Sequence, residues 1–302
     1  MPLTVRQLEI VRAVCRHGSV TAAAGALDIS QPAVSMMLRE CTKAAGFPLF
    51  LRRQGRLQPT AETRGLLGDL ERVFDGIERV NRLVDDMRDV GIGSVRIAAT
   101  PTLADNLLPP AVRLLQQSRP RIRVTVHAMD NVGVVDTVVE ERVDFGLVLS
   151  PLSLPDARLV ELCSAELICV VHPDHALAPL GEVTPADLAP HSLISFSRSL
   201  PLGALVERIF QQAGVPRRIA FEVNQSSVAC GLARAGVGAA IVDPFWVIAH
   251  GLHGLVRLKV RPRVSVDAQA LVPQTAPLSR PARMVLATIR KTAGALRASG
   301  AF

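Results

Sequence analysis

Polar and apolar positions along the chain fall into three regimes. In the first sixty residues, apolar side chains recur at helical spacing in short bursts. Leu8, Val11, Ala13 and Val14 predict a first helix, which His17-Gly18-Ser19 stops. Ser19 is placed to cap a second helix starting near Val20, whose Ala22, Ala23, Ala24 and Leu27 favour helix and permit close packing. Asp28-Ile29 reads as a tight turn. Ser30 then caps a third helix over residues 31–45, with Pro32 in its first turn, where a missing N–H costs nothing. Val34, Met37, Leu38 and Cys41 face inward along it, and Gly46 ends it. Two short helices across a tight turn, from Val20 to Arg39, form a helix-turn-helix. Leu49-Phe50-Leu51 is expected to anchor in the core, and Arg52-Arg53-Gln54-Gly55-Arg56 to form a small basic wing.

From Thr60 the period changes. Leu66, Leu70, Val73, Ile77, Val80, Val84 and Met87 recur at alternating steps of four and three, a seam with period of about 3.5. Charged residues, among them Glu71, Arg72, Asp75, Glu78, Arg79, Asp85 and Asp86, fill the positions between, and Gly91 and Gly93 mark the end of the helix. Such narrow spacing predicts pairing with a second copy of the chain. Packing of one broad stripe on the chain's own body is the alternative.

Beyond residue 93, short β-branched runs alternate with helical stretches. Strands are predicted at Ser94–Ala99, Arg121–Met129, Asp144–Leu149, Leu167–His172, Ser192–Ser195, Arg218–Val223, Ala239–Val242 and Ser265–Val272. Helices are predicted at Leu103–Gln117, Val132–Glu141, Pro201–Ala213, Ser227–Ala235 and Arg280–Ala298. This alternation implies an α/β body of largely parallel strands in two lobes. The chain is expected to cross between the lobes near Cys163–Ala165 and to return near Val264–Val266. The expected organisation is a winged helix-turn-helix over 1–60, a linker helix over 61–92, and a two-lobed domain over 93–302. Lobe I takes about 93–163 and 265–302, and lobe II about 164–264.

Composition adds exclusions. No apolar run approaches the roughly 18 residues of a membrane span, and Met1–Glu9 lacks the apolar stretch of a signal peptide. The expectation is a cytoplasmic protein without a membrane partner. Five dispersed cysteines (Cys15, Cys41, Cys163, Cys169 and Cys230) match neither a disulfide framework nor a metal site. Net charge is +7, and residues 1–60 hold eight Arg and Lys against three acidic residues. A basic head on a nearly neutral body suits a polyanion such as double-stranded DNA.

The candidate chemistry follows from these placements. The start of a second helix in such a motif enters the major groove, which would place Ser30, Gln31, Pro32, Ser35, Met36 and Arg39 at the bases and backbone. Gln pairs with adenine in bidentate fashion, and Met36 can touch a thymine methyl or simply pack. Arg52, Arg53 and Arg56 would reach phosphates or the minor groove, or the wing is an ordinary solvated hairpin. In the body, Thr100 and Thr102, Ser195, Ser197 and Ser199, and Asn224 and Ser226 sit where strands end and helices start. Hydroxyls and free N–H groups there suit a carboxylate, while Asp243 at a strand end suits an ammonium group. The same residue types are ordinary helix caps, so each has two readings.

Gly236-Val237-Gly238 lacks a third glycine and precedes a strand, so it reads as a turn, and His172 and His175 as part of a polar turn. No catalytic constellation, cofactor motif or metal motif stands out. A fused enzyme would need a nucleophile or an acid–base pair, and a transport-type binding protein would need a signal peptide.

The run SQPAVS (30–35) after an alanine-rich helix, with Gly18 to Ala24, Leu27, Gly46, Leu49-Phe50, Arg52 and Pro59-Thr60, resembles the LysR-type regulators. Met36 and Met37 depart from the polar residues common there. The stretches Ser94–Asn106, Pro216-Arg217-Arg218 and Ser226–Pro244 look like members of that family that control lysine biosynthesis and octopine and nopaline catabolism. The resemblance implies a periplasmic-binding-protein-like effector domain, a small-molecule effector of amino-acid type and action at promoter DNA. It also implies homodimers through the Leu66–Met87 seam that often pair into homotetramers, with RNA polymerase as a further candidate partner.

Overall fold

The computed structural model describes residues 2–53, 56–88, 93–150, 157–274 and 277–298. The chain divides into two compact units, 1–81 and 82–302.

The first unit opens with α1 (Val5–His17), α2 (Val20–Ala26) and α3 (Gln31–Ala45). Each start is capped by a hydroxyl. Thr4 and Gln7 form a reciprocal capping box on α1, Ser19 accepts from the Ala22 N–H, and Ser30 from the Ala33 N–H. Gly18 and Gly46 end α1 and α3 with φ of 67° and 79°, a conformation that a Cβ would strain. Ile10, Ala13, Val14, Ala23, Ala24 and Val34 close the helix-turn-helix core. β1 (Phe50–Arg53) and β2 (Arg56–Pro59) form the antiparallel wing. Of the expected anchor, Leu49 is buried and Phe50 packs beside it, but Leu51 is exposed, because alternation along β1 turns it outward.

The long helix α4 (Ala61–Arg88) follows. Leu70 does not join the predicted seam: it is buried with Phe74 against Val11, Cys41 and Leu49. Arg12 stacks over the Phe74 ring at 4.8 Å, and both Arg12 and Arg16 bind the Glu71 carboxylate. Leu66, Val73, Ile77, Val80 and Val84 remain exposed, and the Met87 side chain lies outside the described residues.

The second unit holds two mixed sheets. β3 (Gly93–Ala99), β4 (Ile122–Ala128), β5 (Phe145–Leu149), β6 (Ala157–Glu166) and the late strand β13 (Ser265–Pro273) form one, in the order β4-β3-β5-β13-β6. Its apolar faces are covered by α5 (Pro101–Asn106), α6 (Leu108–Ser118), α7 (Asn131–Val139) and α12 (Arg280–Ala298). The other sheet runs β10-β9-β11-β7-β12-β8. Its strands are β7 (Ile168–Val171), β8 (Glu182–Val183), β9 (Leu193–Phe196), β10 (Ile219–Val223), β11 (Ala239–Val242) and β12 (Val256–Val260). Helices α8 (Pro185–Leu188), α9 (Pro201–Gln212), α10 (Ser226–Arg234) and α11 (Phe245–His250) accompany it.

The chain passes from the first sheet to the second between Glu166 and Ile168 and returns between Val260 and Ser265, with Leu167 N–H donating to the Val264 carbonyl at 2.9 Å. Those crossings correct the expectation of largely parallel strands. β13 is antiparallel to β5 and β6, and β7 is antiparallel to β11 and β12. The helix expected over 103–117 is two helices. Pro109 and Pro110 supply no N–H, so the chain restarts at Leu108 as α6. β6 and β12 went unread because polar and charged residues (Arg158 and Glu161, Arg257 and Lys259) interrupt their apolar runs.

Two close approaches fix the β9–α9 corner. A Cβ on Gly203 would lie 1.8 Å from the Ser197 carbonyl oxygen. The fully buried Arg217 side chain donates to the Phe196 and Gly203 carbonyls at 2.8 and 2.6 Å and pairs with Glu207 at 3.2 Å. Gly203→Ala is therefore expected to cost about 2–4 kcal/mol or prevent folding. Gly294→Ala, on an exposed stretch of α12 with open space around it, should gain about 0.5–1 kcal/mol. Urea denaturation of both variants checks the contrast.

Candidate nucleic-acid interface and effector cleft

α2, the turn at Asp28 (φ 52°) and α3 present the polar start of α3. Ser30, Gln31, Pro32 and Arg39 are exposed, and Met36 is 53% exposed, so it does not pack in the core. Gln31 Nε2 donates to Ser35 Oγ at 3.2 Å, and Arg39 Nε to the Ser35 carbonyl at 3.3 Å. These bonds hold Gln31 and Arg39 on one face around Ser35. The Ser30 hydroxyl is engaged as the cap. Not all of the head's positive charge is free for a polyanion, since Arg6 pairs with Glu9, and Arg12 and Arg16 with Glu71. Arg52 is exposed on the wing, where the backbone pairs Arg53 with Arg56; the side chains of those two residues lie outside the described residues.

In the second unit, one cavity of about 70 Å³ brings together Thr100, Thr102, Asn224, Ser226 and Asp243 from the residues expected at an effector site. It also takes Asp130, Asn131 and Gln225, with Leu149, Phe196, Leu200 and Leu202 as apolar wall. Ser195, Ser197 and Ser199 do not line it. Along β9, alternation turns Phe196 to the cavity and Ser195 away into the core, while Ser199 donates to Ser197 outside it. Asp130-Asn131 was missed, although it shows the same signal as Thr100 and Asn224: polar residues between a strand end and a helix start.

Four helices begin at this cavity. Their N-caps are Thr100 (α5), Asp130 (α7), Leu200 (α9) and Gln225 (α10). Neither α9 nor α10 receives a side-chain cap, so their first turns keep donors and positive dipole ends available. Thr100 is 7% exposed, and its hydroxyl has no hydrogen-bond partner. Asn131 spans the wall, donating to the Leu149 carbonyl at 2.7 Å and accepting its N–H at 3.2 Å. The arrangement suits a small carboxylate.

Asp243 has other work. It is 1% exposed, Oδ2 accepts from the Ser226 hydroxyl, and Oδ1 accepts from the Phe245 N–H at 3.1 Å. Both oxygens are thus hydrogen-bonded within the fold, joining the start of α10 to the start of α11 at the cavity wall. Burial pushes the Cys169 and Cys230 thiols up to about 12, so both stay protonated at neutral pH. Among the described residues, no group of three His, Cys, Asp or Glu has metal-site geometry, and no helix is long and apolar enough to cross a membrane.

A helix-turn-helix in one unit and a polar cleft between two linked sheets in the other define a ligand-responsive DNA-binding regulator of one chain. Residues 5–64 match the bacterial regulatory helix-turn-helix model of the lysR family, and residues 88–294 match the LysR substrate binding domain. The chain belongs to the LysR family, as a DNA-binding transcriptional regulator with an effector-binding domain. It is 30% identical to the transcriptional activator protein LysR of Escherichia coli (strain K12), over 92% of this chain and 88% of that one. It is 32% identical to the octopine catabolism/uptake operon regulatory protein OccR of Rhizobium meliloti, over 80% of each chain. These relatives are regulators, not enzymes. The fold matches that of full-length CbnR complexed with its target DNA, with a TM-score of 0.76 at 23% identity over 96% of this chain and 100% of that one.

Burial raises the Asp243 carboxyl above its ordinary value, outweighing the hydrogen bonds from Ser226 and the backbone that lower it. A carboxyl raised in the folded state contributes stability that is whole below the ordinary aspartate pKa and lost as pH rises through the folded value. Asp243→Asn cannot ionise. Relative to that variant, the wild type should be most stable near about pH 4 and lose ground steadily as pH rises. Urea denaturation across a pH series measures the difference.

Proposed function

We propose that this regulator binds promoter DNA in the cytoplasm through the start of α3 and the wing, and senses an amino acid or amino-acid derivative in the cleft. The carrying observation is the convergence of four helix starts and the unpaired, buried Thr100 hydroxyl on one small cavity. The relationship to LysR and OccR supports an effector of amino-acid type, OccR being named for octopine catabolism and uptake. Gln31, Ser35 and Met36 carry base readout. Arg39, Arg52, Arg53 and Arg56 serve the phosphates and the neighbouring minor groove, with Ser30 and Pro32 fixing the helix start. Thr100, Thr102, Asn224 and Ser226, with Asn131 and Gln225, form the effector's polar surroundings.

The exposed stripe of Leu66, Val73, Ile77, Val80 and Val84 supports a homodimer seam, because unpaired apolar residues at that spacing along one helix are stable only when covered. A dimer presents two helix-turn-helix heads to a palindromic site, and dimers pair further into tetramers acting on RNA polymerase. An effector that binds one arrangement of the lobes better than another shifts the population of paired heads.

Thermal-shift screening of the full chain with standard L-amino acids and octopine tests the sensing half. At about 100 times Kd, a bound effector adds about 2.7 kcal/mol, a shift of several degrees, and Thr100→Val should reduce it. Gln31→Ala should remove the preference for the chain's own upstream DNA over random DNA while the thermal shift stays intact. Loss of both responses together would falsify the two-module reading. For the seam, Ile77→Asp should yield monomers in sedimentation and weaken operator binding; a dimer unchanged by it means that the interface lies elsewhere.

A further inference from the structure

The charge pattern of the cleft is not that of a simple anion site. Among the described residues no Lys, Arg or His lines it, and two aspartates do. They are not equivalent. Asp243 is buried with both oxygens occupied. Asp130 is exposed; its Oδ1 accepts the Gly133 N–H at 2.8 Å as the cap of α7, and its Oδ2 has no partner among the described residues. The same cavity carries the unpaired Thr100 hydroxyl and the uncapped starts of α9 and α10, both helices longer than two turns.

We infer that Asp130 is the residue that selects effectors bearing an ammonium group beside a carboxylate, taking the ammonium on its free oxygen. The inference rests on the reading of the cleft as the effector site. A carboxylate bound alone would meet Asp130 as a like charge, with no cationic side chain among the described lining residues to offset it. A zwitterionic head resolves this. Its carboxylate takes the helix starts and the Thr100 hydroxyl, and its ammonium makes a charge-assisted bond to Asp130. Volume agrees, since about 70 Å³ has room for a few water-sized groups, which matches an amino-acid head but not a large side chain. Selection thus falls on the head, and Asp243 serves the fold.

Asp130→Asn separates the two roles of the residue, because Asn caps a helix as well as Asp and keeps an acceptor for Gly133 while removing the charge. Calorimetric titration of the full chain would use the standard L-amino acids, and for each one that binds, the carboxylic acid lacking its α-amino group. Wild type should prefer the amino acid. The variant should bind it roughly 10- to 100-fold more weakly, while affinity for the des-amino acid holds or rises. A variant with wild-type melting and unchanged amino-acid affinity overturns the role of Asp130 and leaves the cleft reading standing. Wild type that prefers des-amino acids, or binds no amino acid, overturns the ammonium-bearing class. Amino-acid affinity unchanged by Thr100→Val puts the ligand elsewhere, and the cleft reading itself then fails.

Discussion

The antiparallel ladder between β6 and β13 is the constraint on which the body depends, since both strands run directly into the crossings that reach the second sheet. Ser265 pairs with Glu166 at the end of that ladder, and Leu167 is tied to Val264 one step beyond. In the two sheets so joined, the ends of β3, β4, β9 and β10 meet at a common cavity. Helices leaving those ends then begin at the cleft, so donors and positive dipole ends collect there with no cationic side chain among the described lining residues. The chemistry of the cavity is in this sense a product of topology.

Within that frame, side chains divide between holding the site and facing the ligand. Arg217 clamps two carbonyls at the β9–α9 corner, Asn131 ties the start of α7 to the end of β5, and Asp243 joins α10 to α11. Each is a buried polar group that bonds to other parts of the protein. What stays open is the Thr100 hydroxyl, one oxygen of Asp130 and the first turns of α9 and α10. The head shows the same division. Ser30 caps α3 and the Arg12–Glu71–Phe74 cluster fastens α4, while Gln31, Met36, Arg39 and Arg52 face outward.

Local signals were legible where local physics decides. Caps at Ser19 and Ser30 and terminating glycines at Gly18 and Gly46 read correctly, because a cap depends on residues within one turn. Helix α12 was read to the residue, since its apolar face repeats without interruption. Strands β6 and β12 were not read, because alternation with Arg, Lys and Glu weakens the hydrophobic signal over so few residues. At the candidate site, Thr100, Thr102, Asn224, Ser226 and Asp243 were found by their place after strands, and Asp130-Asn131 in the same place was passed over.

The sequence alone determined the helix-turn-helix, the period of α4, the alternation of strand and helix and the family to which the chain belongs. All of these are carried by spacing and by short runs of residues. Tertiary structure decided what spacing cannot express. It drew Leu70 out of the α4 seam into the head's core, sent Ser195 to the far face of β9, and filled both oxygens of Asp243 while leaving one on Asp130 open. Whether a polar side chain meets a ligand or a backbone partner depends on atoms brought near it from distant parts of the chain, and only the folded arrangement specifies those.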